Sequence, residues 1–413
     1  MGEAKPYSLW DILANYFATY VTIVYLNKPV NFLKFMIPLA LYIHIPWCIR
    51  KCPYCDFNSH KSPANIPEIP YINALIADLD NDLSYTAQQT IGSIFIGGGT
   101  PSILSAKAYE RLFDLLRKRL TFAPNIEITL EANPGTVEQQ RFAEYRAVGI
   151  NRLSVGIQSF NANHLRTLGR IHDDRQAHHA IDSARNAGFD NLNLDIMHGL
   201  PGQSVKEGLT DLTTALSYQP EHLSWYQLTI EPNTVFYKKK PILPKEEDAD
   251  ELETLGLVKL ANDGYQRYEI SAFCRNHQVC QHNLNYWLFG DYLGIGAGAH
   301  GKQTLKPHTI YRTRKLRQPN DYLEDKKPFC AARNIVSQED ALFEFMLNTT
   351  RLQQPIAHTL FTERTGLPFS LLYPKLLLAN NKGLIFLNED EWQVTARGRR
   401  FTNDLQALFL QDN

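Results

Sequence analysis

Cysteine is scarce. Six in 413 residues is far too few for a fold stapled by disulfides. Surplus charge is missing too: Lys and Arg number 42 against 43 Asp and Glu, a net charge of -1. A protein built mainly to grip nucleic acid would carry a basic excess, so we expect no nucleic-acid partner. No collagen-like period, internal repeat or low-complexity tract is present, and with 44% hydrophobic and 21% charged residues the chain is neither disordered nor short of core. At roughly 150 residues per domain its length suggests two or three domains, or one large α/β unit with an appendage.

Long apolar runs are also absent, with one borderline case. Leu9 to Leu26 is apolar but interrupted by Asp11 and Asn15, and Lys5 is its only early cation. It fits a secretory leader poorly and falls short of a clean membrane span of about 20 apolar residues. We expect an amphipathic surface helix, or an upstream start with Met36 as the real first residue; contact with a membrane surface is the alternative. The body of the chain is expected to be cytoplasmic, with peripheral contact at the inner membrane left open.

From residue 39 a strand–helix rhythm begins. Strand candidates are Leu39–Ile45, Ser93–Ile96, Ile126–Leu130, Arg152–Ile157, Asn193–Ile196 and Leu223–Leu228. Between them, helical spacing runs over Pro70–Leu83, Ala106–Leu120, Val137–Val148, Arg175–Ala187 and Val205–Leu216. Such alternation builds βαβ units and a parallel sheet, and six units predict an α/β fold of the open (β/α)6 partial-barrel kind. Chemistry in such folds sits at the C-terminal strand ends. There lie Cys48–Cys55, Gly97-Gly98-Gly99-Thr100-Pro101, Glu131–Gly135, Gln158-Ser159 and Asp195. We divide the chain into an extension (1–37), a partial barrel (38–235), an elaborated segment completing the barrel (236–330) and a C-terminal winged-helix-like helical domain (331–413). Helical stretches Asp340–Leu347, Leu360–Arg364 and Phe369–Ala379, followed by a hairpin, suggest the last; its basic residues Arg397, Arg399 and Arg400 are too few to make a nucleic-acid stripe.

Cys48, Cys52 and Cys55 have the spacing C-x3-C-x2-C. Three thiolates fill three corners of a [4Fe–4S] cluster and leave one iron open. The alternatives are a tetrahedral zinc, for which His44 or His60 would have to supply the fourth ligand, and inert thiols. With GGGTP after the second strand, the motif resembles the radical S-adenosylmethionine (SAM) superfamily. That resemblance implies SAM chelated by the open iron and cleaved by one electron to a 5'-deoxyadenosyl radical. The alternative for Gly97–Gly99 is a plain tight turn.

Further motifs resemble the coproporphyrinogen dehydrogenase-like (HemN-like) branch. These are Leu41–Cys48, Cys55–His60, Glu131–Gly135, Arg152–Phe160, Leu168–Arg170 and Asn193–Gln203, and the likeness spans residues 38 to 405. The dehydrogenase carries a further cysteine two positions after the third; here that position is Phe57. His282-Asn-Leu-Asn-Tyr-Trp287 instead resembles the HNxxYW motif of HemW-type heme chaperones. The resemblance therefore implies a heme carrier that hands heme to acceptor hemoproteins, respiratory membrane proteins among them, with a homodimer left open. It places the catalytic SAM at Tyr42, Gly98, Gly99, Thr100 and Glu131, and a second SAM at Tyr54, Gln158, Arg170 and Asp195. Heme falls to His282, Tyr286 and Trp287, since an imidazole can ligate iron and aromatic rings can lie on a porphyrin. Thr229 and His300 align more loosely. The bland alternative for the His282 motif is a turn of core-packing aromatics with a capped histidine. His198 stands where the family tends to have Tyr, and we expect it near the barrel mouth. The cluster Cys274, His277, Cys280 and His282 matches no familiar zinc spacing, and Lys238–Lys240 reads as a solvated run. No catalytic residue is assigned. The rival readings are an oxygen-independent coproporphyrinogen III dehydrogenase and a zinc-bound degenerate barrel.

Overall fold

A computed structural model describes residues 37–85, 90–305, 308–324 and 327–410; the expectations for residues 1–36 lie outside these. Six parallel strands run in the order of the sequence: β1 (Leu39–Ile45), β2 (Thr90–Gly98), β3 (Thr121–Ala132), β4 (Arg152–Gln158), β5 (Leu192–His198) and β6 (His222–Gln227). All six expected strands are present. Their intervening helices, Glu68–Leu83, Ala106–Arg117, Thr136–Ala147, Asp174–Asn186 and Val205–Ser217, start where the caps dictate. Asp173 and Ser204 each make a reciprocal capping box with the residue three positions on, and the Ser105 side chain accepts from the Ala108 amide.

The sheet continues at both edges. Beyond β6 come β7 (Gln266–Arg267) and β8 (Ala272–Cys274), with β8 antiparallel to β6. On the other side of β1 lies a seventh parallel strand, β9 (Asp291–Ile295). It is followed outward by antiparallel β10 (His300–Leu305), β11 (Thr309–Lys315) and β12 (Cys330–Ile335). Among the described residues the result is one open sheet of 12 strands with no closed barrel. The C-terminal region has helices Gln338–Thr349, His358–Thr365 and Tyr373–Asn381 with a small sheet of Ile356–Ala357, Ile385–Leu387 and Glu391–Val394. Among the described residues no helix is long and apolar enough to cross a membrane.

Alternation along the strands divides the molecule into two chemistries. Leu39, Leu41, Ile43, Ile94, Ile96, Ile128, Leu130, Leu153, Val155, Leu194 and Ile196 join the helices in one apolar core. The residues between them (Tyr42, His44, Ser93, Glu127, Thr129, Glu131, Arg152, Ser154, Asn193, Asp195, His222 and Ser224) face the other way. One surface of the sheet is thus an oil layer, and the opposite surface is a polar lining that must satisfy itself by hydrogen bonds. A second core unites the C-terminal helices with Phe289, Ile310 and the partly buried Leu284, Trp287 and Leu288.

The antiparallel wing is anchored by charge. Lys315 on β11 is 1% exposed, and its ammonium lies 2.5 Å from Asp78 and 2.9 Å from Asp82 on the helix Glu68–Leu83; Tyr322 donates to Asp78 at 2.6 Å. Removing one partner of such a pair strands the other charges in the core. Lys315→Ala is therefore expected to lower unfolding free energy by about 3–5 kcal/mol. A shift in the urea midpoint worth less than about 1 kcal/mol would show that the wing does not depend on this contact.

Candidate functional site

The cysteine loop is held at its base. Trp47–Cys48 pairs in parallel with His60–Lys61, and the His60 and Ser62 amides donate to the carbonyls of Pro46 and Cys48 at 2.7 and 2.9 Å. The glycine run grips the same segment: the Gly99 amide donates to Ile45 O at 2.8 Å and the Thr100 amide to Trp47 O at 2.7 Å. A Cβ on Gly99 would stand 2.5 Å from Trp47 O, which is backbone and has no room to yield. Gly98 has φ +118°, and its amide donates to the Glu131 carboxylate at 3.1 Å. The run is thus a clamp between the first two strand ends as well as a close-approach surface.

All three cysteines of the loop are free, Cys48 buried and the other two half-buried. Cys48 Sγ approaches His60 O at 3.7 Å, Cys55 Sγ lies 3.7 Å from Ser59 Oγ, and Arg170 donates to Cys52 Sγ at 3.7 Å. Burial pushes the Cys48 and Cys55 thiols up, while Ser59 and Lys51 draw them back. Of the two histidines considered as a fourth zinc ligand, His44 has both ring nitrogens engaged. His44 Nε2 meets Asn58 O at 2.9 Å; a carbonyl only accepts, so Nε2 carries the proton and Nδ1 accepts from the Tyr42 hydroxyl at 2.9 Å. Burial lowers the His44 pKa to about 4, which keeps it neutral. His60 Nε2 lies 3.1 Å from Arg317 O and 3.3 Å from Asn58 Oδ1. Among the described residues, no three Cys, His, Asp or Glu side chains converge on a single-ion site, those of Cys274–His282 included. Three thiols, with His44 engaged at both nitrogens and no single-ion site formed among the described residues, fit the three protein corners of an iron–sulfur cluster better than a tetrahedral ion.

Behind the loop lies the polar lining. Glu131 is pushed up to about 8, by burial first and then by the Asp195 charge, with the Gly98 amide opposing. Burial also raises Asp195, despite bonds from Asn193, Ser224 and Ser154; Asn193 and Ser154 donate to it at 2.8 and 3.1 Å. Burial disfavours the charged Arg170 guanidinium, but Tyr54 and Cys52 more than offset this. Besides Cys52 it donates to Asn133 Oδ1 at 2.6 Å and Gly156 O at 2.8 Å, while its buried Nε has no partner. Asn133 in turn donates to Thr100 Oγ1 at 2.9 Å. Gln158 accepts from Tyr226 at 2.7 Å and holds φ 68°, a left-handed backbone rare outside glycine. Tyr54 packs on Phe236, and burial raises its hydroxyl pKa, with Arg170 opposing. The two SAM groups named from sequence therefore occupy one continuous lining, joined through Asn133 and Arg170.

Several lining residues were not singled out from sequence. His222 Nδ1 meets Asn193 Oδ1 at 2.6 Å and its Nε2 meets the Tyr268 hydroxyl at 2.8 Å. Glu127 receives the Gln281 and His282 amides at 3.1 and 3.2 Å, and buried Arg152 leaves its Nε without a partner. Their signal was available: each is a polar residue at an inward position of an apolar strand.

His282, Tyr286 and Trp287 lie on the helix Gln281–Trp287, laid against β1 and β2. His282 is 1% exposed. Its Nδ1 lies 3.0 Å from Ser93 Oγ and its Nε2 2.7 Å from the Tyr286 hydroxyl, and burial lowers its pKa to about 3. Its ring is 6.4 Å from that of Tyr42, so the helix abuts the lining. Trp287 stacks under Arg351 at 4.2 Å. The capped core histidine is the arrangement found. His198 does not face the mouth. It shares the parity of Leu194 and Ile196, and lies on the helix side with its ring 4.3 Å from Trp225. The Lys238–Lys240 run belongs to a short helix docked on the cysteine loop, where the Phe236 amide donates to Pro53 O at 2.9 Å.

Residues 42–213 match the radical SAM superfamily and residues 336–401 the HemN C-terminal domain. The heme chaperone HemW of Escherichia coli (strain K12) is 47% identical over 91% of this chain and 99% of its own length. The heme chaperone HemW of Bacillus subtilis (strain 168) is 34% identical over 90% and 99%. In three dimensions the chain is similar to coproporphyrinogen III oxidase (HemN) from Escherichia coli, with TM-score 0.76 and 23% identity over 91% of this chain and 90% of that one. At that identity the likeness speaks for the fold.

Glu131 gives the site a pH signature. Its pKa is about 8 folded against an ordinary 4.5, so between those values the unfolded chain releases a proton that the folded chain keeps. Stability from this group is full below the lower value and declines by up to about 1.4 kcal/mol per pH unit until the upper one. Glu131→Gln should remove this group's share of the slope, so the gap between denaturant midpoints at pH 5 and pH 8 should be smaller for the variant than for the unchanged chain. Parallel profiles would mean that Glu131 is ionised in the fold.

Proposed function

This chain belongs to the heme chaperone HemW family of the radical SAM superfamily, and on that premise we propose that it binds heme and delivers it to hemoproteins. The observation that carries the reading is the match to a heme chaperone over 99% of that relative's length, which takes in the cysteine loop, the polar lining and the HNxxYW helix alike. The character of Phe57 supports it. It is 61% exposed on the cysteine loop, with its carbonyl accepting from Lys51 at 3.0 Å, so the position where the dehydrogenase has its further cysteine offers no thiol.

Cys48, Cys52 and Cys55 would hold a [4Fe–4S] cluster, which when bound supplies one electron and an open iron to SAM. Around it, Gly98, Gly99 and Thr100 hold the loop in place, while the Asn58 carbonyl fixes the His44 tautomer and Tyr42 donates to its other nitrogen. Glu131, protonated at neutral pH in the free site, becomes an acceptor for an ammonium or ribose hydroxyl once it loses its proton. Arg170 positions Cys52, and with Tyr54, Gln158 and Asp195 it forms the wall where we assign the second SAM. His282, Tyr286 and Trp287 enter conditionally: His282 ligates an iron only after exchanging its bonds to Ser93 and Tyr286. We assign acceptors that include respiratory membrane proteins, reached from the cytoplasmic side.

Anaerobic reconstitution should give iron–sulfur absorbance that is lost when the three cysteines are replaced by Ala. Heme-loaded protein should then pass its heme to an apo-hemoprotein, followed by the acceptor's own spectrum. Failure to transfer, or anaerobic conversion of coproporphyrinogen to protoporphyrinogen, would overturn the assignment.

A further inference from the structure

Two deeply buried ammonium groups of this chain are met by carboxylates: Lys302 lies 2.8 Å from Asp291, and Lys315 2.5 Å from Asp78. Arg170 is not. Among the described residues it makes no ion pair, and its hydrogen bonds go to Cys52 Sγ, Asn133 Oδ1 and Gly156 O. The side chain is half-buried, with Nε sealed from solvent and unpartnered. The groups that favour its charged form include the Tyr54 and Tyr226 hydroxyls and the Cys52 sulfur. Burial keeps both hydroxyls protonated. Of the three, the sulfur is the one that becomes an anion, as a thiolate, when it ligates a metal.

The backbone places this charge. The short helix Ala162–Thr167 gives way to Gly169 at φ +68°, where a Cβ would stand 2.7 Å from Pro53 Cδ in the cysteine loop. The chain thus turns against the loop, and the Arg170 amide donates to Leu165 O at 2.9 Å. A Cβ on Gly156 would stand 3.3 Å from Arg170 Nη2, so bare backbone makes room for the guanidinium. Nη2 is tied to Asn133 at 2.6 Å and Gly156 O at 2.8 Å, which leaves Nη1 directed at Cys52 Sγ at 3.7 Å. The other two thiols meet a carbonyl and a hydroxyl. Lys51, exposed on the loop, turns its ammonium to Phe57 O at 3.0 Å, and solvent screens its field.

We propose that Arg170 raises the reduction potential of the cluster held by the three cysteines, with Asn133 as the residue that positions it. Reduction adds one electron to a group already carrying thiolate charge. A fixed guanidinium beside one of those sulfurs stabilises the more negative, reduced state. The electron comes from an external reductant, which is oxidised; no bond forms or breaks and no proton moves. Asn133 also donates to Thr100 Oγ1 at 2.9 Å, so the glycine run and the guanidinium are held in one register. The proposal rests on the cluster assignment and is independent of heme delivery.

The test is an anaerobic redox titration of the reconstituted full-length chain without SAM, with dithionite as reductant, followed by the electron paramagnetic resonance signal of the reduced cluster. The unchanged chain is compared with Arg170→Met, Arg170→Lys and Asn133→Ala. Iron and sulfide per chain report cluster assembly, and thermal melting reports the fold. Arg170→Met is expected to weaken the reduction equilibrium about tenfold, which is a midpoint about 59 mV more negative for one electron. Arg170→Lys keeps the charge and should recover part of that shift. Asn133→Ala frees the guanidinium and should move the midpoint in the same direction by less. If Arg170→Met takes up no cluster, a more negative midpoint in Asn133→Ala supports the proposal and an unchanged one overturns it. Unchanged midpoints throughout, or equal shifts in the Met and Lys variants, would overturn it as well. So would a shift that emerges only after SAM is added, since that assigns the guanidinium to the ligand. No cluster in the unchanged chain would overturn the cluster assignment and this inference together, whereas failed heme transfer would leave this inference standing.

Discussion

A sheet with one polar surface has no hydrophobic reason to close on itself. The structure depends on that constraint. Inward positions of the parallel strands carry Tyr, His, Ser, Glu, Arg, Asn and Asp, and each must find a partner or stay wet. They find one another. Asn193 links Ser154, Asp195, His222 and Ser224, while Glu127 collects the amides of the helix laid against them. The outward positions do the folding, and the inward ones are left free for chemistry. The same division explains why Glu131 holds a proton at neutral pH: it is buried among polar groups, near a second carboxylate, on a surface that holds little bulk water.

Much of this was readable from the chain because period-2 and period-3.6 patterns are strong where strands and helices alternate. All six barrel strands, the helices between them and the cysteine loop lie where the residues predicted. Strand β9 was harder to see. Asp291–Ile295 is short, glycine-bearing and distant in sequence from β1, its neighbour, so only tertiary pairing defines it. The destination of His282 was invisible for a related reason: a motif names its residues but not the Ser93 hydroxyl waiting nearly two hundred positions earlier. His198 was a different kind of error, since counting in twos from Leu194 already puts it on the helix side.

The HNxxYW helix and the C-terminal helices are neighbours within one apolar cluster. Leu284, Trp287 and Phe289, from the HNxxYW helix and its exit, pack with Phe345, Phe361 and the partly buried Phe369. Phe345 lies 5.2 Å from Phe361, which lies 6.5 Å from Phe369, the ring stacked on His358. Close-packed clusters of this kind transmit displacement because they have few voids to absorb it. Tyr42, shared between the cysteine-loop network and the ring of His282, extends the contact path to the cofactor end.

That shared cluster also sets an order of assembly. Synthesis runs from the N-terminus, so the parallel strands through β6 leave the ribosome well before the helix Gln281–Trp287. This helix in turn lacks most of its apolar neighbours until residues 341–409 have emerged, since they make up the remainder of its core. The helix-covered side of the sheet can therefore mature early, while the polar side waits on the last fifth of the polypeptide. During that interval the polar lining is reachable from the end that is later stoppered, a window in the life of the molecule that the finished fold no longer offers.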